Sequence, residues 1–176
     1  ADKMTDKQWL KAIARYDYND AGSRFERKGE LIGGAAQLSH LLESQVKKDP
    51  DRFASLVWQF PDNAHPYYFN AILRGIAEVG INMQTAFSVC QRCHQLPQCP
   101  CGRSIAWLFQ KLADLPWTVS GLNILLCYAL YDSNPEQELW QAQTPSGNVY
   151  YGGDVLTVGI NSTRGSAVSA IARLIF

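Results

Sequence analysis

The chain lacks an excess of charge of either sign. Sixteen basic side chains offset sixteen acidic ones, and the formal net charge is zero. Domains that bind DNA or RNA draw much of their affinity from neutralising phosphates, so a neutral chain argues against a nucleic-acid partner. Long apolar runs are also missing: none approaches the roughly 20 residues needed to cross a bilayer, which argues against a membrane partner. The opening Ala1-Asp2-Lys3-Met4-Thr5 has no apolar core of a signal peptide, so export finds no support. There are three histidines, His40, His65 and His94. They stand in helical or capping contexts with no orienting third group, and packing is the expected role of each. Gly29, Gly33 and Gly34 are followed by no Gly-Lys-Ser/Thr and preceded by no strand pattern, which excludes a phosphate loop within the chain. Segments alternating with period two are absent too. No catalytic residue and no cofactor is expected.

What is present is apolar spacing of three and four. Apolar residues make up 47% of the chain, enough for a substantial core. Thr5 and Gln8 have the form of a capping box, followed by Trp9, Ala12, Ile13 and Tyr16 on one face. Residues 17–29 are polar, contain the basic cluster Arg24, Arg27 and Lys28, and read as a linker. Leu31, Ala35, Leu38, Leu42 and Val46 mark the next helix. Gly33 and Gly34 near its start are tolerated, on this reading, by close packing against the first helix. Asp49-Pro50 and His65-Pro66 each pair a cap with proline at the first helical position. Phe53, Leu56, Val57 and Phe60 follow the first, and Phe69, Ile72, Leu73 and Ile76 the second, with Gly80 as a stop. Asn82 caps a helix carrying Met83, Phe87, Cys90 and His94. Ile105, Leu108, Phe109 and Leu112 come next, then Leu122, Leu125, Leu126 and Ala129. Asn134-Pro135 opens a brief acidic turn through Trp140.

These patterns predict an all-α fold of five to eight helices. Helix starts near Leu31, Pro66 and Arg103 recur with a spacing in the mid-thirties, which falls among helical-hairpin repeats. The expected organisation is an N-terminal helix and polar linker over 1–29. A domain of stacked antiparallel helical hairpins, a HEAT-like α-solenoid segment, follows over 30–176. Gln141 to Asp154 is long for a connection, and Tyr150 and Tyr151 within it are candidate interaction residues. In the last stretch Ala167, Ala170, Ile171, Leu174 and Ile175 share a face, and the sequence ends on Leu174, Ile175 and Phe176 with no helix stop. The expectation is the second helix of a hairpin, truncated before the next unit. Its apolar end would meet a further hairpin, a second copy or an earlier part of the chain.

Five cysteines is an odd number, and Cys90, Cys93, Cys99 and Cys101 crowd into one run with His94. Reduced thiols in a cytoplasmic protein fit this better than a disulfide framework. Zinc needs four soft or imidazole ligands, and Cys90, Cys93, His94, Cys99 and Cys101 offer five. Against a metal site, Cys93 and Cys99 are closer than ligand pairs usually stand, and Cys90 and His94 lie on the apolar stripe. The Cys90-x-x-Cys93-His94 spacing also matches covalent haem attachment, but neither export nor a distal ligand accompanies it. The reading taken is buried thiols without metal. The alternative is a small zinc or redox-sensitive module.

Lys47-Lys48-Asp49-Pro50-Asp51-Arg52-Phe53-Ala54 resembles helical regions of large bacterial multidomain NTPases of the STAND/NACHT type. So does Tyr150-Tyr151-Gly152-Gly153-Asp154 leading to Asn161-Ser162-Thr163-Arg164-Gly165-Ser166-Ala167. The resemblance covers most of residues 30–176. It implies HEAT-like hairpins stacked behind a nucleotide-binding module, coupling ligand sensing to assembly, often in antiviral defence. Its motifs are helix-packing patterns and carry over no catalytic residue. The implied function is a non-catalytic scaffold or sensor segment whose partners are proteins, adjacent repeats or another subunit, with any NTPase activity outside the chain.

Overall fold

The computed structural model describes residues 4–17, 25–27, 30–136 and 155–175. Among them the fold is all-α apart from one short ribbon. In chain order come α1 (Asp6–Arg15), β1 (Phe25–Arg27), β2 (Glu30–Ile32), α2 (Ala35–Val46) and α3 (Pro50–Leu56). A 3-10 turn (Val57–Gln59), α4 (Pro66–Val79), α5 (Met83–His94), α6 (Gly102–Lys111) and α7 (Val119–Tyr131) follow. The last two are α8 (Val155–Asn161) and α9 (Thr163–Ile175). Nine α-helices among the described residues exceed the five to eight expected; of the two short ones, α3 is read from Asp49-Pro50 and α8 is not read from the sequence.

Local chemistry sets most helix starts. Thr5 accepts from the Gln8 amide while Gln8 Oε1 accepts from Thr5 N–H at 2.8 Å, the reciprocal capping box. Asp49, His65, Asn82 and Thr118 each accept from an amide of the first turn that follows them. Pro50 and Pro66 occupy first positions, where no amide hydrogen is needed. Gly80 ends α4 with φ at 78°, a conformation that costs glycine little.

One stretch departs from expectation. Leu31 lies in β2, where it pairs with Glu26 of β1 in an antiparallel ribbon, and α2 begins only at Ala35. The expected linker-to-domain boundary at 29/30 thus falls between two paired strands. Gly34 is the N-cap of α2, and its amide donates to Gln37 Oε1 at 2.8 Å. The close approach expected against α1 is not found among the described residues, since α2 packs on α4 and α3. The close approach occurs elsewhere. An added Cβ at Gly75 of α4 would stand 2.7 Å from Val46 Cβ, where α4 packs against α2.

The chain forms two compact units, Ala1–Cys101 and Gly102–Phe176. In the first, Trp9, Ile13, Leu42, Val46, Phe53, Tyr68, Phe69, Ile72 and Ile76 form the core. Trp9 meets Phe53 edge-on at 5.9 Å, and the α2–α4 pair is the most extensive contact. Arg52 ties α3 to α1 through Asp6 and the Met4 carbonyl. In the second unit α9 packs on both α6 and α7. Ala167 and Ala170 are fully buried there, which fits the small-residue face read from the sequence. Gln110 donates to the Ser166 carbonyl at 3.0 Å, and Arg164 donates to the Asp132 carbonyl. Ser162, nearly buried between α8 and α9, donates to Gly159 O at 2.6 Å and accepts from Gly165 N at 2.9 Å.

Candidate functional site

Two features of the described residues carry chemistry or unspent contact surface. The first is the cysteine run. It occupies the last turns of α5 and the reversal that follows, within the first unit. The three-four period of α5 turns Ala86, Val89, Cys90 and Cys93 into the core, and Cys90 and Cys93 are fully buried. Arg92 is held between them and the 3-10 turn. It donates to the Phe60 carbonyl at 2.7 Å, pairs with Asp62 at 2.7 Å and lies over the Phe69 ring.

After α5 the backbone turns back through Gln98 and Cys99, with φ of 62° and 48°. Side chains other than glycine seldom adopt this left-handed region. The reversal is held by Cys99 N–H donating to Leu96 O at 3.0 Å and by Cys99 Sγ–H donating to His94 O at 3.3 Å. It leads to Cys101, which is 1% exposed. Burial is the main cause that pushes both Cys90 and Cys93 above the ordinary thiol range. For Cys93 the Cys101 thiol adds to it, and the Arg92 charge opposes it. Such thiols are protonated at neutral pH and behave as small hydrophobes with one weak donor. Both were expected to be buried, and both are. Among the described residues no three of His, Cys, Asp and Glu are arranged to hold a metal ion. The five candidate donors split accordingly: Cys90, Cys93 and Cys101 face inward, while His94 and Cys99 are half-buried at the rim. Burial lowers the His94 pKa.

The second feature is α7. Its sequence Val119–Tyr131 contains no charged residue. Gly121, Ile124, Leu125 and Tyr128 are buried, while Val119, Leu126, Leu130 and Tyr131 are 73%, 42%, 60% and 78% exposed. The stripe expected at Leu122, Leu125, Leu126 and Ala129 is therefore rotated: Leu126 faces outward, and Leu122 and Ala129 are only half-buried. Apart from Ser120 and Asn123, both exposed, the helix offers little polar contrast, so the spacing fixed its facing poorly. The missing charge was the signal that could have marked this surface.

Of the expected interaction residues, Leu174 is half-buried and Ile175 is 66% exposed. Tyr150, Tyr151 and Phe176 lie outside the described residues, as do the expected turn through Trp140 and the Gln141–Asp154 connection. No helix among the described residues is long and apolar enough to cross a membrane.

The fold and these two features define an all-α protein with a buried thiol cluster and an uncharged, outward-facing helix. No protein-family model, curated protein sequence or solved structure matches it.

Proposed function

We propose that the chain is a non-catalytic helical interaction segment that binds protein through the second unit. The observation that carries this reading is the outer face of α7. Val119, Leu126 and Leu130 recur seven and four apart on one side, with Tyr131 beside them, and no charge interrupts the helix. Exposed Asn123 lies on the same side, so the face is uncharged and mainly apolar; large apolar side chains scattered singly need no explanation, but an uncharged cluster of them marks a contact surface. Ile175, at the end of α9, adds a further exposed apolar side chain. The partner chemistry is another apolar helical surface, from an adjacent hairpin repeat or another subunit. The resemblance of Lys47–Ala54 and Asn161–Ala167 to helical regions of STAND-type NTPases supplies the context. The chain would be a stacked-hairpin, HEAT-like scaffold or sensor of such a cytoplasmic bacterial enzyme, in a defence role, with nucleotide hydrolysis performed outside it.

The test follows the amides of α7. Hydrogen exchange is measured on the chain alone at rising concentration and on the chain within a longer parent polypeptide. Protection of 119–131 that rises in either case, and is lost in the Leu126→Ser/Leu130→Ser variant, is the expected result. Equal exchange in every sample would sink the reading.

A further inference from the structure

The outer side of α7 is laid out as a seam. Val119, Leu122, Asn123, Leu126, Ala129 and Leu130 recur three and four apart, opposite the buried Gly121, Ile124, Leu125 and Tyr128. Val119, Asn123, Leu126 and Leu130 are exposed, and Leu122 and Ala129 are half-buried along one edge. The chemistry of this seam says what covers it. No residue of α7 is charged, so nothing on it calls for a partner of opposite charge. Its one polar member is Asn123, whose carboxamide both donates and accepts hydrogen bonds. Such a group is its own complement. Across a two-fold axis each residue on the axis meets its own copy, where a carboxylate or an ammonium would repel and a carboxamide pairs. Both signs of charge also flank the helix at each end: Lys111 and Asp114 precede it, and Asp132, with Arg164 on its carbonyl, follows it. A copy approaching in either direction meets no block of like charge.

We propose that the occupant of this face is a second copy of the chain, paired antiparallel through α7 about a two-fold axis at Asn123. The inference rests on the reading of α7 as a contact surface and names what it contacts. Antiparallel pairing sets the positive end of one helix dipole beside the negative end of the other. With the axis at Asn123, the two carboxamides hydrogen-bond each other and Val119 packs beside Leu126 of the second copy. A single polar pair within an apolar seam fixes register and the number of copies, at a cost in affinity. One helix pair about 20 Å long is small for a specific interface, so the dimer is weak, with a Kd in the micromolar range.

The experiment is sedimentation velocity on the full chain at rising concentration, with two substitutions at one position. Asn123 is exposed, so neither Asn123→Asp nor Asn123→Lys disturbs the core, and circular dichroism verifies that. The parent should pass from monomer to dimer across the micromolar range. Each variant alone should dimerise at least tenfold more weakly, because like charges then meet at the axis. An equimolar mixture of the two should recover the parent's affinity. Direction is read from Val119→Cys, a change at an exposed position. A short bismaleimide should join the introduced thiol to the half-buried Cys127 of the second copy. Joining of the two introduced thiols instead would mark parallel pairing and overturn the arrangement. Asn123→Asp dimerising as the parent does, or a mixture no better than its components, would overturn the axis at Asn123. A parent that stays monomeric while α7 amides gain protection in a longer polypeptide would overturn the second copy and leave the contact reading of α7 standing.

Discussion

Gly75, Gly165 and Gly33 carry the same side chain and have different reasons for it. A Cβ at Gly75 would sit 2.7 Å from Val46 Cβ and 3.2 Å from the Glu43 carbonyl oxygen. Alanine there gains about 1 kcal/mol of helix propensity but incurs an overpacking cost of about 1–3 kcal/mol, so a small net loss is expected. At Gly165 the Cβ would fall 1.8 Å from the Gly159 backbone oxygen, which no side-chain rotation relieves. Gly165→Ala should therefore be the worst of the three, with a loss of about 3 kcal/mol. At Gly33 the nearest atom is Gln37 Cβ, at 3.3 Å, which needs to give by only a few tenths of an ångström, so Gly33→Ala should be the mildest of the three, at about 0.5–1 kcal/mol. Urea unfolding of the three variants gives the ranking directly. His65 offers a residue-scale test against pH. Burial lowers its pKa below the usual 6.5, and the Asp17 carboxylate opposes the shift. Its Nδ1 accepts from Tyr67 N at 3.2 Å as the cap of α4. The unfolded chain then takes up the proton first as pH falls. This contribution to stability is complete above 6.5 and is lost as pH drops through the lowered folded value. His65→Ser keeps an acceptor without titrating, so the melting temperature of the parent should fall more steeply than that of the variant between neutral and mildly acid pH.

At the scale of elements, α5 is anchored by one side chain. The Arg92 guanidinium serves the Phe60 carbonyl, Asp62 and the Phe69 ring at once. Phe60 is buried, so its carbonyl has little water to turn to. Replacing Arg92 with Met removes a charge-assisted donor and should cost about 1–3 kcal/mol. Asp62 is largely exposed, and an exposed ion pair is worth about 0–1 kcal/mol, so Asp62→Asn should be close to silent. Similar losses from the two substitutions in thermal unfolding would show that the ion pair, and not the carbonyl contact, holds α5. The anchoring matters for the thiols, since Cys93 is the next residue along the same turn.

At the scale of the whole molecule, each unit closes its core around a close helix contact, α2 with α4 in the first and α9 with α6 and α7 in the second. The second leaves the outer side of α7 uncovered. Attraction through such an apolar face weakens on cooling and survives added salt, unlike one made by charges. If the chain associates through α7, light scattering should show a complex that loosens toward low temperature and persists at high ionic strength. The Leu126→Ser/Leu130→Ser variant should be monomeric throughout. Association abolished by salt alone would point to a different surface.

Local signals decided much by themselves. The Thr5–Gln8 box, Asp49-Pro50, His65-Pro66, Asn82 and Gly80 act through neighbours in sequence, so the starts and stops of α1, α3, α4 and α5 were legible. The burial of Cys90 followed from the period of α5, but the stripe expected at Met83, Phe87, Cys90 and His94 is rotated: Ala86, Val89 and Cys93 are buried with Cys90, and Met83, Phe87 and His94 are half-buried. Other features depended on contacts distant in the chain. Leu31 fits a helical stripe as readily as a strand, and only pairing with Glu26 settles it. The facing of α7 was hard to read because only Ser120 and Asn123 offer polar contrast; Ala167 and Ala170 of α9 share the second unit's core with Leu125, and Leu126 is left outside. The reversal after α5 runs through two left-handed residues, Gln98 and Cys99, that no glycine or asparagine announced. A local hydrogen bond can be read from spacing. A choice between two apolar faces, or between two folds of a loop, is made by whatever packs against them.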